Sequence, residues 1–153
     1  MKLIFPFVFA CLSALPVAAQ DVVSAPPTPQ SAEVFIEDTD VDLKQFLWKN
    51  RPIVVFADSP NDPQFIQQMV LLNDRLGELT ERDVVILTDT DPEAGSALRE
   101  RLHPRGFMLV LIVKDGTIYL RKPSPWDVRE ITRTIDKLPV RQQEIIERRA
   151  RGN

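Results

Sequence analysis

Two short apolar runs are each followed, within a few residues, by an Asp-Pro pair, and this repeated pattern constrains the fold most strongly. The run IVVFA leads into Asp62-Pro63, and the run DVVILTD leads into Asp91-Pro92. Aspartate is a favoured N-cap, and proline is tolerated at the first helical position because its missing N–H group has no helical partner there. The pattern therefore predicts two buried strands that each lead into a helix, as in an α/β protein.

Apolar residues at helical spacing predict the remaining helices. A short helix over VDLKQFLW should precede the first strand, and the helix that begins at Pro63 should stop at Gly77. Ser124-Pro125 should cap a last core helix, before Pro139 interrupts it and a polar, arginine-rich helix ends the chain. The predicted buried stripes of the three core helices are, in chain order, Phe65, Met69, Leu72 and Leu76; Leu98 and Leu102; and Val128, Ile131, Ile135 and Leu138.

The segments GFMLVLIV and TIYLRK predict two more strands, joined by Asp115-Gly116, which can take the positive φ angles of a tight hairpin turn. A right-handed crossover makes the first two strands parallel neighbours, while the hairpin makes the last two antiparallel. This is the connectivity of a thioredoxin-like fold, which is an α/β, three-layer arrangement. The prediction is a mixed four-stranded sheet flanked by helices.

Two segments carry a resemblance to thioredoxins. RGFMLVLIVKDG resembles the stretch in which an Arg-Gly pair enters the third core strand of a thioredoxin, and PIVVFADSPNDPQFIQQ is similar to the segment that leads into the Cys-Gly-Pro-Cys motif. Met108 stands where thioredoxins have a cis-proline beside the active site, and both cysteine positions fall on residues without a thiol. The resemblance therefore implies the fold without its two redox hallmarks.

A larger set of segments resembles the family called domain of unknown function 4174, which is common in secreted bacterial proteins. The chain is also similar to the peroxiredoxin-like domains of certain extracellular sushi-repeat proteins. The segments that carry this resemblance are RPIVVFADSPNDPQF, RDVVILTDTDP, PRGFMLVLIVKDG and LRKPSPWDVREITRTIDKLPVRQQEI. They cover nearly all of the chain from Asp42 to Ile146, but a family named for lacking a function implies little about activity.

The first residues have the parts of a secretory signal peptide. A basic start at Lys2, the apolar run LIFPFVFACLSALPV and the small residues before Gln20 predict cleavage after Ala19. A membrane span is disfavoured because the run contains two prolines and is shorter than the roughly 20 apolar residues that a span needs. Lipid attachment at Cys11 is the other alternative. The mature protein is expected to be periplasmic or secreted, without stable membrane insertion.

These assignments divide the chain into a signal peptide (residues 1–19), a disordered linker (20–38), a thioredoxin-like domain (39–139) and a basic C-terminal helix or tail (140–153). Cys11 is the only cysteine of the chain, so the mature protein would have neither a disulfide nor a thiol nucleophile. The formal net charge of −3 argues against the strongly basic surface of a nucleic-acid-binding domain. No cofactor is expected.

The predicted topology brings four loops to one edge of the sheet, which we call the mouth: residues 58–62, 88–91, 103–108 and 122–126. Ligands of parallel sheets tend to lie outside the carboxyl ends of the strands, so the mouth is the candidate site. Trp126 is expected to pack against Met108 or the first strand, or to hold an apolar or peptide ligand. The ligand-binding candidates are Asp58, Ser59, Asn61, Asp89, Arg105, Met108 and Trp126.

Four carboxylates would lie at this mouth. Asp62 and Asp91 each precede a helix-starting proline, so capping explains both. Asp58 and Asp89 have no such role and are the better functional candidates. Their alternative is a salt-bridge network with Arg105 or Arg121 at the same edge.

Two chemical alternatives concern the same edge. Calcium or zinc binding is disfavoured, because TDTDP lacks the spaced oxygen ligands of a calcium loop and the mature chain offers one histidine and no cysteine. A hydrolytic site would pair Ser59 with His103 as base and with Asp89 or Asp91 as orienting acid. However, ADSPN lacks the small-x-Ser-x-small elbow that exposes a serine nucleophile.

The expected function is therefore binding, without thiol redox chemistry. The partner would be a protein, a peptide or a small ligand of the cell envelope, held at an acidic mouth. The alternative is a hydrolase-like, non-thiol enzyme that uses Asp58, Asp89, His103 and Arg105 at the sheet edge.

Overall fold

A computed structural model of the protein describes residues 34–36 and 40–152. In that part of the chain, five strands form one mixed sheet in the order β1-β3-β2-β4-β5. The strands are β1 (Phe35–Ile36), β2 (Arg51–Phe56), β3 (Val84–Asp89), β4 (Met108–Ile112) and β5 (Ile118–Lys122). The α-helices are α1 (Pro63–Asn73), α2 (Leu76–Thr80), α3 (Ala97–Leu102), α4 (Val128–Asp136) and α5 (Pro139–Ala150). Strands β1, β3 and β2 run parallel, while β4 is antiparallel to both β2 and β5.

The sheet has one strand more than the four predicted. Phe35 and Ile36, near the end of the segment predicted as a linker, form β1 by pairing with Ile86 and Leu87 of β3. A strand of two residues is too short to show an alternating pattern, so periodicity cannot reveal it. The predicted signal peptide, with Cys11, and most of the predicted linker lie outside the described residues.

The sheet separates two apolar layers, as a three-layer fold requires. Every residue of β2 is buried. On one face, Ile53 and Val55 pack with residues of α1, α2 and α4. On the other face, Val54 and Phe56 pack with α3 and with a 3-10 turn at Leu43–Phe46, which is all that forms of the helix predicted over VDLKQFLW. Because both faces are covered, β2 is the central strand that its unbroken apolar sequence predicts.

Asp62-Pro63 begins α1 as predicted. The Asp62 carboxylate accepts hydrogen bonds from two backbone N–H groups of the first turn, at 2.7 and 3.3 Å. The predicted stop at Gly77 is wrong, because α1 ends at Asn73 and Gly77 lies inside the separate helix α2. The chain leaves the helical conformation at Arg75, where φ is −135°, before it reaches the glycine.

Asp91-Pro92 begins only a single 3-10 turn, Pro92–Ala94. Gly95 then takes a positive φ of 59°, which turns the chain. Ser96 caps α3 by accepting a hydrogen bond from the Arg99 N–H at 3.2 Å. The helix predicted as continuous from Pro92 is therefore two short pieces with a turn between them.

The start predicted for the last core helix at Ser124-Pro125 is wrong. Asp127 caps α4 instead, and its carboxylate accepts a hydrogen bond from the Arg129 N–H at 2.7 Å. The apolar stripe of this helix is nevertheless buried as predicted, at Val128, Ile131, Ile135 and Leu138.

The hairpin between β4 and β5 forms where Asp115-Gly116 predicts it. Gly116 has a φ of 85°, and its N–H donates to the carbonyl of Val113 at 2.9 Å. A Cβ atom at this position would also lie 2.7 Å from Cδ2 of Leu47. The backbone conformation therefore favours glycine here, and a Cβ would also push the Leu47 side chain aside.

Candidate functional site

The structure brings the predicted loops to one edge of the sheet. In the strand register, Phe56 at the end of β2 stands beside Asp89 at the end of β3 and beside Met108 at the start of β4. Lys122, the last residue of β5, pairs with Leu109 of β4. The mouth therefore lies where the connectivity predicts it.

Asp89 is buried at this edge, and other groups of the chain use both of its carboxylate oxygens. Its side chain is 1% exposed. Arg99 donates from Nε to Oδ1 at 2.8 Å, and the buried Ser96 hydroxyl donates to Oδ2. The Arg99 guanidinium also donates to the carbonyls of Ala57, at 2.6 Å, and Asp89, at 3.2 Å. We call these three residues, Asp89, Ser96 and Arg99, the Asp89 cluster; it joins the ends of β2 and β3 to the start of α3.

The Asp89 cluster decides between the two predicted roles of this carboxylate. Asp89 is the ion-pair partner of an arginine, as the alternative interpretation has it, but the arginine is Arg99 and not Arg105. The Arg99 guanidinium also lies 5.5 Å from the centre of the Phe56 ring. The turn at Gly95 is what brings a residue ten positions along the chain back to Asp89.

Asp58 remains open at the mouth. Asp62 and Asp91 cap helices, as predicted, and Asp89 is paired. The Asp58 side chain is exposed and has no hydrogen bond or ion pair in the part of the chain that the structure describes. A Cβ atom built at Gly106 would lie 3.8 Å from its Oδ2, so the carboxylate sits beside the segment that enters β4. Of the four carboxylates predicted there, only Asp58 is therefore free.

Three cations at the mouth have no carboxylate partner among the described residues: Arg105, Arg121 and Lys122. Arg105 is exposed, while the Lys122 ammonium lies 4.9 Å from the centre of the Trp126 ring. Arg121, from the same strand as Lys122, donates instead to the carbonyl of Leu102 at the end of α3. The unpaired charges of the mouth are thus mixed in sign, and the prediction of an acidic mouth is wrong.

Trp126 and Met108 pack on opposite faces of the sheet. Trp126 packs with the apolar layer that contains Ile53 and Val55 of β2, which is one of its two predicted neighbours. Met108 packs with the other layer, and its sulfur lies 3.7 Å from the Arg121 guanidinium. Direct packing of Trp126 on Met108 is therefore not part of the structure.

Gln68 is a residue of the mouth that sequence reasoning missed. It is fully buried on α1, and its amide forms a reciprocal pair with the backbone of Trp126: the Trp126 N–H donates to Oε1 at 2.6 Å, and Nε2 donates to the Trp126 carbonyl at 3.1 Å. The pair fixes the loop between β5 and α4 against α1. The signal in the sequence is a polar residue within the apolar stripe, between Phe65 and Leu72.

Ser59 and His103 do not form a catalytic pair in the described part of the chain. The Ser59 hydroxyl accepts a hydrogen bond from the Asn61 N–H at 3.1 Å and so helps to build the turn before α1. His103 is an exposed residue with a φ of 48° that ends α3. Of the two acids predicted for this arrangement, Asp89 is held by Arg99 and Asp91 caps the turn at Pro92–Ala94.

The opposite end of the sheet, which we call the base, holds a network of paired charges. The Arg51 guanidinium is 1% exposed; it donates to Glu144 at 2.9 Å and to the carbonyl of Arg82 at 2.9 Å. Lys114 pairs with Glu144 at 2.9 Å and with Asp83 at 2.8 Å. Burial alone would raise the pKa of the Glu144 carboxyl, but hydrogen bonds from Lys114 and Arg51 outweigh it and lower the pKa to about 2.

A second part of the base fastens α4 and α5. Arg82 forms a two-pronged pair with Asp136, at 3.0 and 2.7 Å. Arg141 is 6% exposed; it pairs with Glu144 at 3.3 Å and donates to the carbonyl of Glu81 at 3.1 Å. The polar, arginine-rich last helix therefore has a buried arginine on the side where it meets Glu81.

In residues 34–36 and 40–152, no group of three or more histidine, cysteine or acidic side chains is placed to hold a metal ion. None of the helices described there is long and apolar enough to cross a membrane.

Comparison with known proteins places the chain among thioredoxin-like folds. The model of a family described as "Domain of unknown function (DUF4174)" matches residues 42–144. The reduced 2-Cys peroxiredoxin of Plasmodium vivax is similar, with 18% identity, 68% of this chain and 85% of that chain covered, and a TM-score of 0.52. Chloroplastic thioredoxin z shows 19% identity, 67% and 90% coverage, and a TM-score of 0.51. Identities this low show the fold alone, and the thioredoxin-like prediction is confirmed.

Proposed function

The chain belongs to the family described as Domain of unknown function (DUF4174), and from that premise we propose that it is an exported thioredoxin-fold protein that works by binding, without thiol chemistry. Its partner is a protein, a peptide or a small ligand of the cell envelope, held at the mouth. The observation that carries the proposal is the pair of unpartnered, exposed side chains of opposite charge, Asp58 and Arg105, at the edge where α/β proteins bind ligands.

The absence of thiol chemistry rests on the elbow between β2 and α1. Thiol–disulfide exchange and peroxide reduction by cysteine both require a thiolate nucleophile. The elbow carries Asp58, Ser59, Asn61 and Asp62, and the only cysteine in the sequence is Cys11. The similar structure from Plasmodium vivax is named as a 2-Cys peroxiredoxin, whereas this chain has no cysteine at the elbow.

Binding at the mouth is supported by what holds it in shape. The Asp89 cluster fixes the ends of β2 and β3, and Gln68 fixes the backbone of Trp126. Asp58, Arg105 and the Lys122–Trp126 pair therefore lie on segments that these contacts hold in place. A rigid frame lowers the entropy that is lost when a partner binds.

Export rests on the sequence alone. The basic start, the apolar run and Ala19 are the parts of a signal peptide. The intact mass of the protein purified from its native host tests this. Loss of residues 1–19 is expected; a mass that keeps Cys11 and carries a lipid would place the protein on a membrane surface instead.

The binding proposal is tested by proximity labelling in the native envelope, with the wild-type chain, the double variant Asp58→Ala/Arg105→Ala and a matched control, Arg133→Ala. Arg133 is 63% exposed on α4 and, like Arg105, carries a single positive charge. We expect the double variant to lose its main captured partner and the control to keep it. Equal capture by all three proteins would exclude the mouth as the binding site.

Thiol-independent function is tested with the purified chain in insulin-reduction and peroxide-consumption assays. No turnover is expected in either assay, and measurable turnover would refute the proposal. The alternative of a non-thiol enzyme has less support, because its cluster of Asp58, Asp89, His103 and Arg105 loses the buried and paired Asp89. A turnover on any substrate that His103→Ala abolishes would favour that enzyme.

A further inference from the structure

A groove of about 290 Å³ lies at the base, between the β4–β5 hairpin and the junction of α4 and α5. We call it the hairpin groove, and its main lining residues are Arg51, Val113, Tyr119, Leu138, Pro139 and Val140. Tyr119 and Val140 are 49% and 42% exposed, although both are large and apolar. The groove is separate from the mouth, and in the described part of the chain nothing covers it.

The edge strand of the sheet borders this groove. β5 is the outermost strand on its side, and the backbone of Ile118–Lys122 forms no hydrogen bond beyond its pairing with β4 in the described part of the chain. An edge with free N–H and carbonyl groups is a template for a further strand. Tyr119 lies at an irregularity of the β4–β5 register, between Ile118, which pairs with Ile112, and Leu120, which pairs with Leu111. It also lines the groove, so a strand added to β5 would bring one of its own side chains there.

Arg51 adds a buried donor to the groove lining. Two nitrogens of its guanidinium are hydrogen-bonded, but the Nε–H group has no acceptor in the described part of the chain. A buried donor without an acceptor is unfavourable. The positive charge of Arg51 is already balanced by Glu144 and, at 3.8 Å, Asp83. A ligand in the groove therefore meets no unbalanced charge at Arg51.

The size of the groove and the charges along β5 narrow the ligand further. Small-molecule sites have volumes of about 300–1,000 Å³, so this groove, at the lower limit, suits one large side chain of a longer ligand. At the far end of the strand, Arg121 and Lys122 form no ion pair within the described residues. An acidic residue of the ligand would complement them.

We propose that β5 and the hairpin groove bind an extended peptide segment of a partner protein. The segment adds a strand to β5, places one large apolar side chain beside Tyr119 and Val140, and places an acidic residue near Lys122. This second binding site runs along β5, from the hairpin groove at the base to Lys122 at the edge of the mouth, and it does not depend on the proposed function.

The test uses the purified full chain and two fluorescein-labelled heptapeptides, TVFTEET and TEETFVT, which present the phenylalanine and the glutamates in the two possible strand directions. Fluorescence anisotropy should show saturable binding of at least one of them. Two altered forms of the binding peptide serve as controls, one with alanine in place of phenylalanine and one N-methylated on alternate amides. Both should bind at least about tenfold more weakly, since one lacks the anchor and the other cannot pair with an edge strand.

Variants of the protein locate the site. Val140→Asp and Tyr119→Lys should each weaken binding by about tenfold or more, because each puts a charge into the apolar groove. Ile146→Asp is the matched control on the same helix as Val140; Ile146 is 59% exposed and lies outside the groove. It should leave binding unchanged.

Several outcomes would overturn the proposal. They are no binding of either peptide up to about 1 mM, equal weakening by Ile146→Asp and Val140→Asp, or binding that is insensitive to N-methylation. A purified chain that forms a dimer, and becomes a monomer on Tyr119→Lys, would show that the edge is occupied by a second copy of the chain rather than by a peptide.

Discussion

At the base, Arg51, Arg82, Lys114 and Arg141 each meet at least one carboxylate, whereas at the mouth the exposed Arg105 and Asp58 meet no charged partner among the described residues. The paired charges of the base hold α4 and α5 against the sheet. At the mouth, in the described part of the chain, such a buried ion pair is confined to the Asp89 cluster.

The difference separates charges that build the fold from charges that are free to bind. Removing one member of a buried ion pair leaves the other charge uncompensated, which is strongly destabilising, whereas removing an exposed and unpaired charge changes stability little. The comparison therefore predicts which substitutions affect unfolding and which affect only binding.

The largest expected loss of stability comes from a substitution at the mouth, Asp89→Ala. Asp89→Ala leaves the Arg99 guanidinium, 11% exposed, without its carboxylate and should lower the free energy of unfolding by about 4 kcal/mol. Asp58→Ala, the matched control at the end of the neighbouring strand, should change it by no more than about 0.5 kcal/mol. Urea denaturation measures both; similar losses would mean that burial does not distinguish the two carboxylates.

The next largest loss of stability is expected at the base, for Arg51→Ala, with Arg105→Ala at the mouth as its comparison. Arg51→Ala removes a buried partner of Glu144 and should cost about 3 kcal/mol, somewhat less than Asp89→Ala because Lys114 still pairs with Glu144. Arg105→Ala should leave the unfolding midpoint in urea nearly unchanged. A large loss of stability on Arg105→Ala would show that Arg105 stabilises the mouth as Arg51 stabilises the base.

Gln68→Leu tests the polar contact that fixes the mouth. It leaves the N–H and carbonyl of Trp126 without their partner and should lower the free energy of unfolding by about 2 kcal/mol. In a Trp48→Phe background, the fluorescence of Trp126 should also shift, while the neighbouring exposed substitution Gln67→Leu should alter neither quantity. An unchanged emission spectrum in Gln68→Leu would contradict the proposed fixing role.

The smallest effect is the pH dependence of the base. Because the pKa of Glu144 is about 2 in the folded chain against 4.5 ordinarily, its contribution to stability is fully present above about pH 4.5 and is lost as the pH falls towards 2. The carboxylate is 21% exposed, so with screening we expect about 1 kcal/mol from it. Urea midpoints measured from pH 5 to pH 2 should fall less steeply in Glu144→Gln than in the wild type; parallel curves would contradict the assignment.

The sequence predicts local features of this fold well. The cap at Asp62, the buried stripe of α4 and the turn at Gly116 each depend on residues within a few positions of one another, so their physical cause lies in a short window. The errors concern the exact ends of helices. Asp127 caps α4 in place of Ser124, and the chain leaves the helical conformation at Arg75, two residues before Gly77.

The candidate site is less predictable, because it depends on which charged side chains form ion pairs with one another. Asp58 and Asp89 look alike in the sequence, since each stands at the end of an apolar strand, yet one is exposed and the other is buried. The deciding partner, Arg99, reaches Asp89 only through the turn at Gly95. No periodic pattern encodes that contact, and the same is true of Arg51 and Glu144, which are 93 positions apart.

That separation has a consequence for the order in which the protein can be assembled. The contacts of Asp89 with Ser96 and Arg99 span 7 and 10 residues, so they close small loops and are available as soon as this stretch has been synthesised. Arg51 gains Glu144 only when the region near the C-terminus has been made, and until then the described carboxylate beside it is Asp83, at 3.8 Å. The last helix therefore completes the base, and a chain interrupted before it would be left with its mouth built and its base open.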